Sequence, residues 1–164
     1  MRRIHDRDLT EEPQAMRGLY WEEWEIGAEF ESPARTVTEA DIVAFAGLSG
    51  DYNPLHTDEE FCKRTPFGGR IAHGPLVYAI AAGLLFQLHL YDDTLIAFLG
   101  FDSLKFTKPV KPGDTIHASI KVLEKRETSN PERGIMKRQL QVLNQRGEVV
   151  QEGLQAFLLK RKPA

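Results

Sequence analysis

The segment PLVYAIAAGLLFQLHL, residues 75–90, decides how the rest of the chain must fold. Its side chains are apolar on every side of a helix, so most of its surface has to be covered by protein. It is shorter than the roughly 20 residues that a bilayer crossing needs, and it carries Gln87 and His89. We therefore predict a buried core helix that begins at Pro75, where a missing N–H costs nothing, and runs to about Leu90.

Strand patterns follow this helix. The clearest begins at Thr115, where apolar side chains at every second position alternate with polar ones, as in a half-buried strand. Further strands are predicted at residues 95–106 and 136–143. A last strand is predicted after the turn at residues 144–147. On one face it carries Val150, Leu154, Ala156 and Leu158, and on the other it carries Gln151, Gln155 and Phe157.

Upstream of the helix, a strand is predicted at residues 30–37. Capping boxes at Thr38 and Thr57 open two helices, and the first of these runs through Gly47.

Sequential strands favour an antiparallel sheet, and the buried helix needs a cover. The economical fold is α+β, a curved antiparallel sheet wrapped around one long central helix, which is the hot-dog architecture. We expect one domain over residues 19–164, preceded by a polar, flexible arm over residues 1–18.

Composition narrows the function. The chain has 164 residues, 41% of them hydrophobic, and a formal net charge of -3, so it shows no preference for nucleic acid or any other polyanion. Its single cysteine, Cys62, permits no intrachain disulfide and fits a reducing cytoplasm. The charged N-terminus lacks the apolar run of a secretory signal, and no membrane association is expected.

The run GDYNPLH, residues 50–56, brings a carboxylate, a carboxamide and an imidazole together as Asp51, Asn53 and His56. We expect Pro54 to keep this run from becoming a regular helix, so that a loop aims the side chains into one cleft. An aspartate and a histidine can share proton removal and proton delivery. The run GRIAHGP, residues 69–75, then opens the central helix, and the Gly74 N–H can stabilise an oxyanion there.

These motifs, with FTKPVKPGD at residues 106–114, resemble the signature of MaoC-like, (R)-specific enoyl-CoA hydratases and dehydratases. The resemblance implies that Asp51 and His56 activate the water that adds to an enoyl-CoA thioester, while Asn53 orients the pair. It implies that Phe106 lines the acyl or pantetheine channel, and we group His73 with it as substrate-binding or as a residue that shapes the loop. No cofactor or metal is implied, since coenzyme A belongs to the substrate.

Other interpretations stay open. Asp51 and Asn53 could simply bond their own backbone in a turn, and Phe106 could be a core aromatic. A hot-dog thioesterase, a non-catalytic acyl-CoA-binding subunit and a metal site of Asp51, His56 and His73 are alternatives. Four basic residues are candidates for binding the coenzyme A phosphates, although a solvent-exposed surface position would explain each of them equally well. They are Arg64, Arg70, Lys108 and Lys111. An exposed sheet edge predicts a homodimer.

Overall fold

The computed structural model describes residues 17–163. It contains four helices and six strands in this part of the chain, preceded by a short 3₁₀ turn at Trp21–Glu23. The helices are α1 (Glu39–Ser49), α2 (Pro54–Thr57), α3 (Glu59–Lys63) and α4 (Gly74–Phe86). The strands are β1 (Glu29–Glu31), β2 (Arg35–Thr36), β3 (Leu95–Phe106), β4 (Thr115–Glu127), β5 (Arg133–Asn144) and β6 (Val149–Lys160).

All six strands belong to one antiparallel sheet. Its order is β1-β4-β5-β6-β3, with β2 paired beside β1 on β4, so β3 forms one edge. The inner face packs on α4, whose buried side chains are Leu76, Val77, Ile80, Ala81, Leu84 and Leu85. This arrangement is the hot-dog fold that the sequence predicts, with one sheet wrapped around one central helix.

The central helix is shorter than predicted. It ends at Phe86 instead of Leu90, because the chain turns there and His89 adopts a left-handed backbone conformation with a φ of 54°. Leu90 still joins the core, and its carbonyl accepts a hydrogen bond from Leu19 N–H at 2.9 Å. Between residues 17 and 163, no helix combines the length and the apolar character that a membrane crossing requires.

The upstream elements are confirmed in kind, with shifted ends. Thr38 and Asp41 form the predicted capping box, but α1 continues past Gly47 to Ser49. The second cap is Asp58 instead of Thr57, since the Asp58 carboxylate accepts from Phe61 N–H at 2.8 Å. The strand predicted at residues 30–37 is split into β1 and β2 by residues 32–34, which include a proline that cannot donate to the sheet.

Val150 does not share a face of β6 with Leu154, Ala156 and Leu158, contrary to the predicted pattern. Val142 pairs with Gln151 and Leu143 with Val149, so Val150 is an extra residue in β6, a β-bulge. Both Val150 and Gln151 are consequently buried. A bulge reverses which side chains face the core, because the side-chain period of a strand is two residues. The buried positions after the bulge are Gln151, Gly153, Gln155, Phe157 and Leu159.

The predicted N-terminal arm falls almost entirely outside the described residues, so its boundary stays a prediction. Gly18, the last residue assigned to the arm, packs closely against the chain after α4. Its N–H donates to Asp92 O at 2.7 Å, and a β-carbon at this position would lie 2.6 Å from Leu90 O. The fold therefore holds the chain from Gly18 onward.

The reversed face of β6 predicts how two leucines on this strand contribute to stability. Leu159 is fully buried and Leu154 is 38% exposed. Leu159→Ala should lower the free energy of unfolding by about 2–5 kcal/mol, because it leaves a cavity in the core. Leu154→Ala should cost about 1 kcal/mol or less. Urea unfolding of both variants checks this, and an equal loss in the two would contradict the observed register.

Candidate active site

The segment between α1 and α2 is built by local hydrogen bonds. Gly50 ends α1 in the left-handed conformation, with a φ of 76° that a side chain would disfavour. The Asp51 carboxylate then accepts from Asn53 N–H at 3.2 Å, and the Asn53 side chain accepts from Leu55 N–H at 3.0 Å. Both side chains bond their own backbone, as the turn interpretation expects, and Asn53 caps α2.

Pro54 does not prevent a helix here, contrary to the prediction. It is the first residue of α2, a single helical turn that also carries His56. A proline is tolerated at this position, because the first N–H of a helix has no partner within the helix. Proline breaks a helix only in its interior, and Pro54 lies at a helix start.

His56 is half-buried, and one of its ring nitrogens is committed. Its Nδ1 lies 2.8 Å from the carbonyl oxygen of Ile71. A carbonyl can only accept, so Nδ1 carries the proton and donates it, which leaves Nε2 with a lone pair in the neutral ring. The same segment is tied a second time, since Ile71 N–H donates to Leu55 O at 3.1 Å.

His73 supports the site from beneath. Its side chain is 1% exposed, and its Nε2 donates to the backbone carbonyl of Asp51 at 2.9 Å. Its ring stacks on His56 with a centroid distance of 3.7 Å and an interplanar angle of 28°. His73 Nδ1 is buried and unpartnered. The structure therefore places His73 behind His56, and its role in substrate binding stays a prediction.

Cys62 has a structural position. It is fully buried, and its thiol approaches the carbonyl oxygens of Pro54 at 3.2 Å and Leu55 at 3.3 Å. Burial raises the pKa of this thiol, so it stays protonated and can donate to α2. Cys62 thus helps to hold the turn that carries His56.

A cavity of about 350 Å³ opens beside His56. Its lining is mostly apolar and includes three of the predicted site residues, His56, Gly74 and Phe106. Asp51 is exposed and does not line this cavity itself, but one carboxylate oxygen of Asp51 and one ring nitrogen each of His56 and His73 all lie within 4.8 Å of one another. The arrangement places a carboxylate and an imidazole beside an apolar pocket.

Gly74 begins α4 at the wall of the cavity. The first N–H groups of a helix have no partner within it and attract negative charge. Phe106, from the end of β3, packs directly against this residue, because a β-carbon on Gly74 would lie 2.5 Å from the Phe106 ring. Glycine is required here by that contact.

Gln151 lines the cavity, although the sequence pattern places it on the strand face opposite to Val150. It is 1% exposed, and its Nε2 donates to the Gly74 carbonyl at 2.9 Å. Its Oε1 is buried without a partner. Only the bulge at Val150 turns Gln151 inward, and the local sequence gives no clear signal of that bulge.

Two of the four basic candidates for phosphate binding are engaged in ion pairs. Arg70 contacts Glu39 and Glu59, at 2.9 and 3.2 Å. Lys108 lines the cavity and lies 2.6 Å from Glu148. Hydrogen bonds from Asn144, Lys108 and Arg146 lower the pKa of Glu148 to about 2, so this ion pair persists at neutral pH. Lys108 is the candidate that the fold brings to the cavity.

The ligand set Asp51, His56 and His73 has the composition of a metal site but an unsuitable geometry. Metal ions bind the in-plane lone pair of an imidazole nitrogen. The rings of His56 and His73 are stacked, so their in-plane lone pairs run side by side instead of converging on one point. Nδ1 of His56 and Nε2 of His73 are moreover committed to backbone carbonyls.

Comparison with known proteins identifies the family. The model of the MaoC like domain matches residues 22–142, so the chain belongs to the MaoC-like family. Protein MaoC of Klebsiella aerogenes is 41% identical to this chain over a match that covers 70% of this chain. The same match covers only 33% of that longer protein. The (R)-specific enoyl-CoA hydratase of Rhodospirillum rubrum is 42% identical over 56% of this chain and 61% of that enzyme.

A solved structure agrees over almost the full described chain. The MaoC-like dehydratase from Rhodospirillum rubrum superposes with a TM-score of 0.79 and 35% sequence identity, covering 90% of this chain and 100% of that one. The chain therefore has the hot-dog fold and belongs to the MaoC-like family of hydratases and dehydratases.

The contact between Gly74 and Phe106 predicts a coupled pair of substitutions. Gly74→Ala should lower the free energy of unfolding by about 1–3 kcal/mol, because its new methyl group overlaps the Phe106 ring. In a Phe106→Ala background the same change should cost much less, since the ring is gone. Thermal unfolding of the single and double variants measures this coupling. Equal costs in the two backgrounds would contradict the contact.

Proposed function

We propose that the chain catalyses the reversible hydration of a trans-2-enoyl-CoA to a (R)-3-hydroxyacyl-CoA. The observation that carries this proposal is the position of Asp51 and His56 beside an apolar cavity that the start of α4 closes. Membership of the MaoC-like family and similarity to a named (R)-specific enoyl-CoA hydratase support it. The acyl chain would occupy the apolar cavity.

In the proposed reaction, His56 and Asp51 share the proton transfers. His56 Nε2 has a free lone pair and takes a proton from water as the water oxygen bonds to the β-carbon. The developing imidazolium is stabilised by its Nδ1–H, which donates to Ile71 O. The exposed Asp51 carboxylate holds the same water, takes the abstracted proton from the His56 imidazolium and passes it to the α-carbon. One O–H bond of water and the π bond of the enoyl group break, and one C–O and one C–H bond form.

Negative charge that leaves the double bond collects on the thioester oxygen. The Gly74 N–H at the start of α4 would donate to this oxygen, and the absence of a side chain permits close approach. Phe106 would cover the thioester, since its ring lies against Gly74 and lines the cavity. Preorganised donors of this kind typically contribute about 10²–10³ in kcat.

Asn53 and His73 would act through the backbone and not on the substrate. Asn53 caps α2 and so fixes the turn that presents His56. His73 holds the carbonyl of Asp51 and stacks under His56.

Substitution of the two proton-transfer residues tests the proposed function. With crotonyl-CoA as substrate, Asp51→Asn and His56→Ala should each lower kcat by about 10²–10⁴, which is the usual contribution of a general acid or base. The measurement is the loss of absorbance of the conjugated enoyl thioester. Asp93→Asn and His89→Gln, outside the cavity, are matched controls that should keep the wild-type rate. Undiminished turnover in both site variants would exclude the proposed roles.

We also propose that the chain is a homodimer joined through β3. This strand is one edge of the sheet in the described chain, and it carries partly exposed apolar side chains. They are Ile96, Phe98, Leu99 and Phe101, between 37% and 49% exposed. Unpaired backbone groups beside apolar side chains favour pairing with a second copy. The reducing cytoplasm remains the proposed location, in keeping with the single buried thiol of Cys62.

Light scattering tests the dimer. The wild-type protein should have twice the monomer mass, and Leu99→Lys should shift it toward the monomer by placing a charge in the interface. Ile26→Lys is a control, because Ile26 is 66% exposed and precedes β1 at the other side of the sheet. A monomeric wild-type protein, or a dimer that tolerates Leu99→Lys as well as Ile26→Lys, would refute pairing through β3.

A further inference from the structure

Arg138 is a buried cation that the proposed reaction does not use. It lies on the inner face of β5 and is 4% exposed, the only buried Lys, Arg, Asp or Glu side chain between residues 17 and 163. Its Nε donates to Gln155 Oε1 at 2.8 Å, and Nη1 donates to the Tyr91 hydroxyl. Its guanidinium lies 4.3 Å from the centroid of the Phe157 ring. None of these partners carries a negative charge.

The surroundings of Arg138 hold hydrogen-bond donors in excess. Gln155 uses its oxygen for Arg138 and donates its amide to the Tyr78 hydroxyl at 3.2 Å. Tyr78 and Tyr91 therefore accept with their oxygens and keep their own O–H protons to donate. Desolvation raises the pKa of both phenols, so they stay protonated. Three N–H groups of Arg138 also have no protein acceptor in the described chain.

A line of polar contacts connects this cluster to the cavity. Gln151 and Gln155 both face inward on β6, where Gln151 contacts Gly74 and Gln155 contacts Tyr78. Gly74 and Tyr78 are four residues apart on α4, and the helical rise of about 1.5 Å per residue separates them by roughly 6 Å. Two polar contacts thus join α4 to β6 within the hydrophobic core, one at the cavity wall and one beside Arg138.

Burying a cation without an anion costs several kcal/mol, and stacking on aromatic rings recovers only part of that. A carboxylate would accept from the guanidinium in the planar, two-point geometry that arginine favours and also from the two phenols. We propose that Arg138 binds a carboxylate at the far end of the acyl chain, so that the preferred substrate is a dicarboxylic enoyl thioester long enough to reach from Gly74 to the guanidinium. This inference rests on the proposed function and names its substrate class.

The separation along β6 sets the length of the acyl chain. The thioester oxygen is assigned to Gly74, which contacts Gln151, while Arg138 contacts Gln155, four residues further along β6, or roughly 13 Å at about 3.3 Å per residue. The half-buried Tyr78 is the member of the cluster nearest to solvent, and its ring contacts Phe101 edge-on, 4.9 Å between centroids. Movement of the Tyr78 side chain would admit the carboxylate to the guanidinium.

Pairs of substrates that differ only at the chain end test this inference. Fumaryl-CoA carries a carboxylate where crotonyl-CoA carries a methyl group, and longer pairs are made in the same way. The wild-type protein should show about tenfold to hundredfold higher kcat/KM for the carboxylate member of at least one pair, as expected for a charge-assisted hydrogen bond. Equal values, or a preference for the methyl member in every pair, would overturn the inference.

Substitution then assigns the preference to Arg138. Arg138→Met keeps an unbranched side chain but removes the guanidinium, and should abolish the preference by lowering kcat/KM for the carboxylate member alone. Lys137→Met is the matched control, because Lys137 faces outward on the same strand and pairs with Asp102 at 2.7 Å. A preference that survives in a folded Arg138→Met protein would contradict the role. If Arg138→Met fails to fold, Arg138→Lys should reduce the preference without abolishing the fold.

Binding of saturated thioesters separates this inference from the proposed function. Saturated acyl-CoA thioesters cannot be hydrated, so calorimetry compares affinities without turnover for pairs of equal length, from succinyl-CoA and butyryl-CoA to longer ones. Tighter binding of the dicarboxylic member of a pair, lost in Arg138→Met, supports the carboxylate site even if no enoyl-CoA is hydrated. Equal affinities in a wild-type protein that still hydrates enoyl-CoA would refute the carboxylate site without contradicting the proposed reaction. Arg138 would then be held by neutral core contacts or by a carboxylate of the chain itself.

Discussion

Burial of the central helix is the constraint on which the rest of the molecule depends. The helix α4 is apolar on nearly all sides, and its buried side chains can leave water only if a sheet curves around them. The four long strands β3–β6 supply that cover. Because the cover extends to the first turn of α4, the start of the helix is held at a fixed place in the wall of a cavity. The position of Gly74 is thus a consequence of core packing.

The site depends on this helix through a small set of backbone contacts. His56 binds the carbonyl of Ile71, His73 binds the carbonyl of Asp51, and the Ile71 N–H binds the carbonyl of Leu55. These contacts tie the segment after α1 to the segment before α4 in both directions. They fix the tautomer of each imidazole and hold a carboxylate oxygen of Asp51 within 4.8 Å of a ring nitrogen of His56. Neither histidine needs a charged partner for this.

Much of the architecture follows from sequence patterns that have one physical interpretation. The apolar run after Gly74 and the alternation after Thr115 both give the observed elements, because burial alone determines them. The errors arise where a tertiary contact decides. A bulge at Val150 reverses β6 and buries Gln151 and Gln155, which a regular alternation assigns to solvent. Pro54 opens a helix because the turn before it is capped by Asn53.

The site was predictable in composition but only partly in arrangement. The motif around Asp51 and His56 names the residues, while the role of His73 depends on its burial beneath His56, which no spacing reveals. Arg138 shows the opposite case. It lies at an inward position between Met136 and Leu140, yet its charge suggests an outward one, and the fold places it inside among neutral donors and aromatic rings.

The most direct test of the account follows two signals from one reaction of the wild-type protein with crotonyl-CoA, the absorbance of the conjugated thioester and the release of free thiol. Hydration at Asp51 and His56 predicts that the conjugated absorbance falls while no thiol appears, with (R)-3-hydroxybutyryl-CoA as the product. Thiol released in step with substrate loss would contradict the account, since it would mean that water attacks the carbonyl carbon and not the β-carbon.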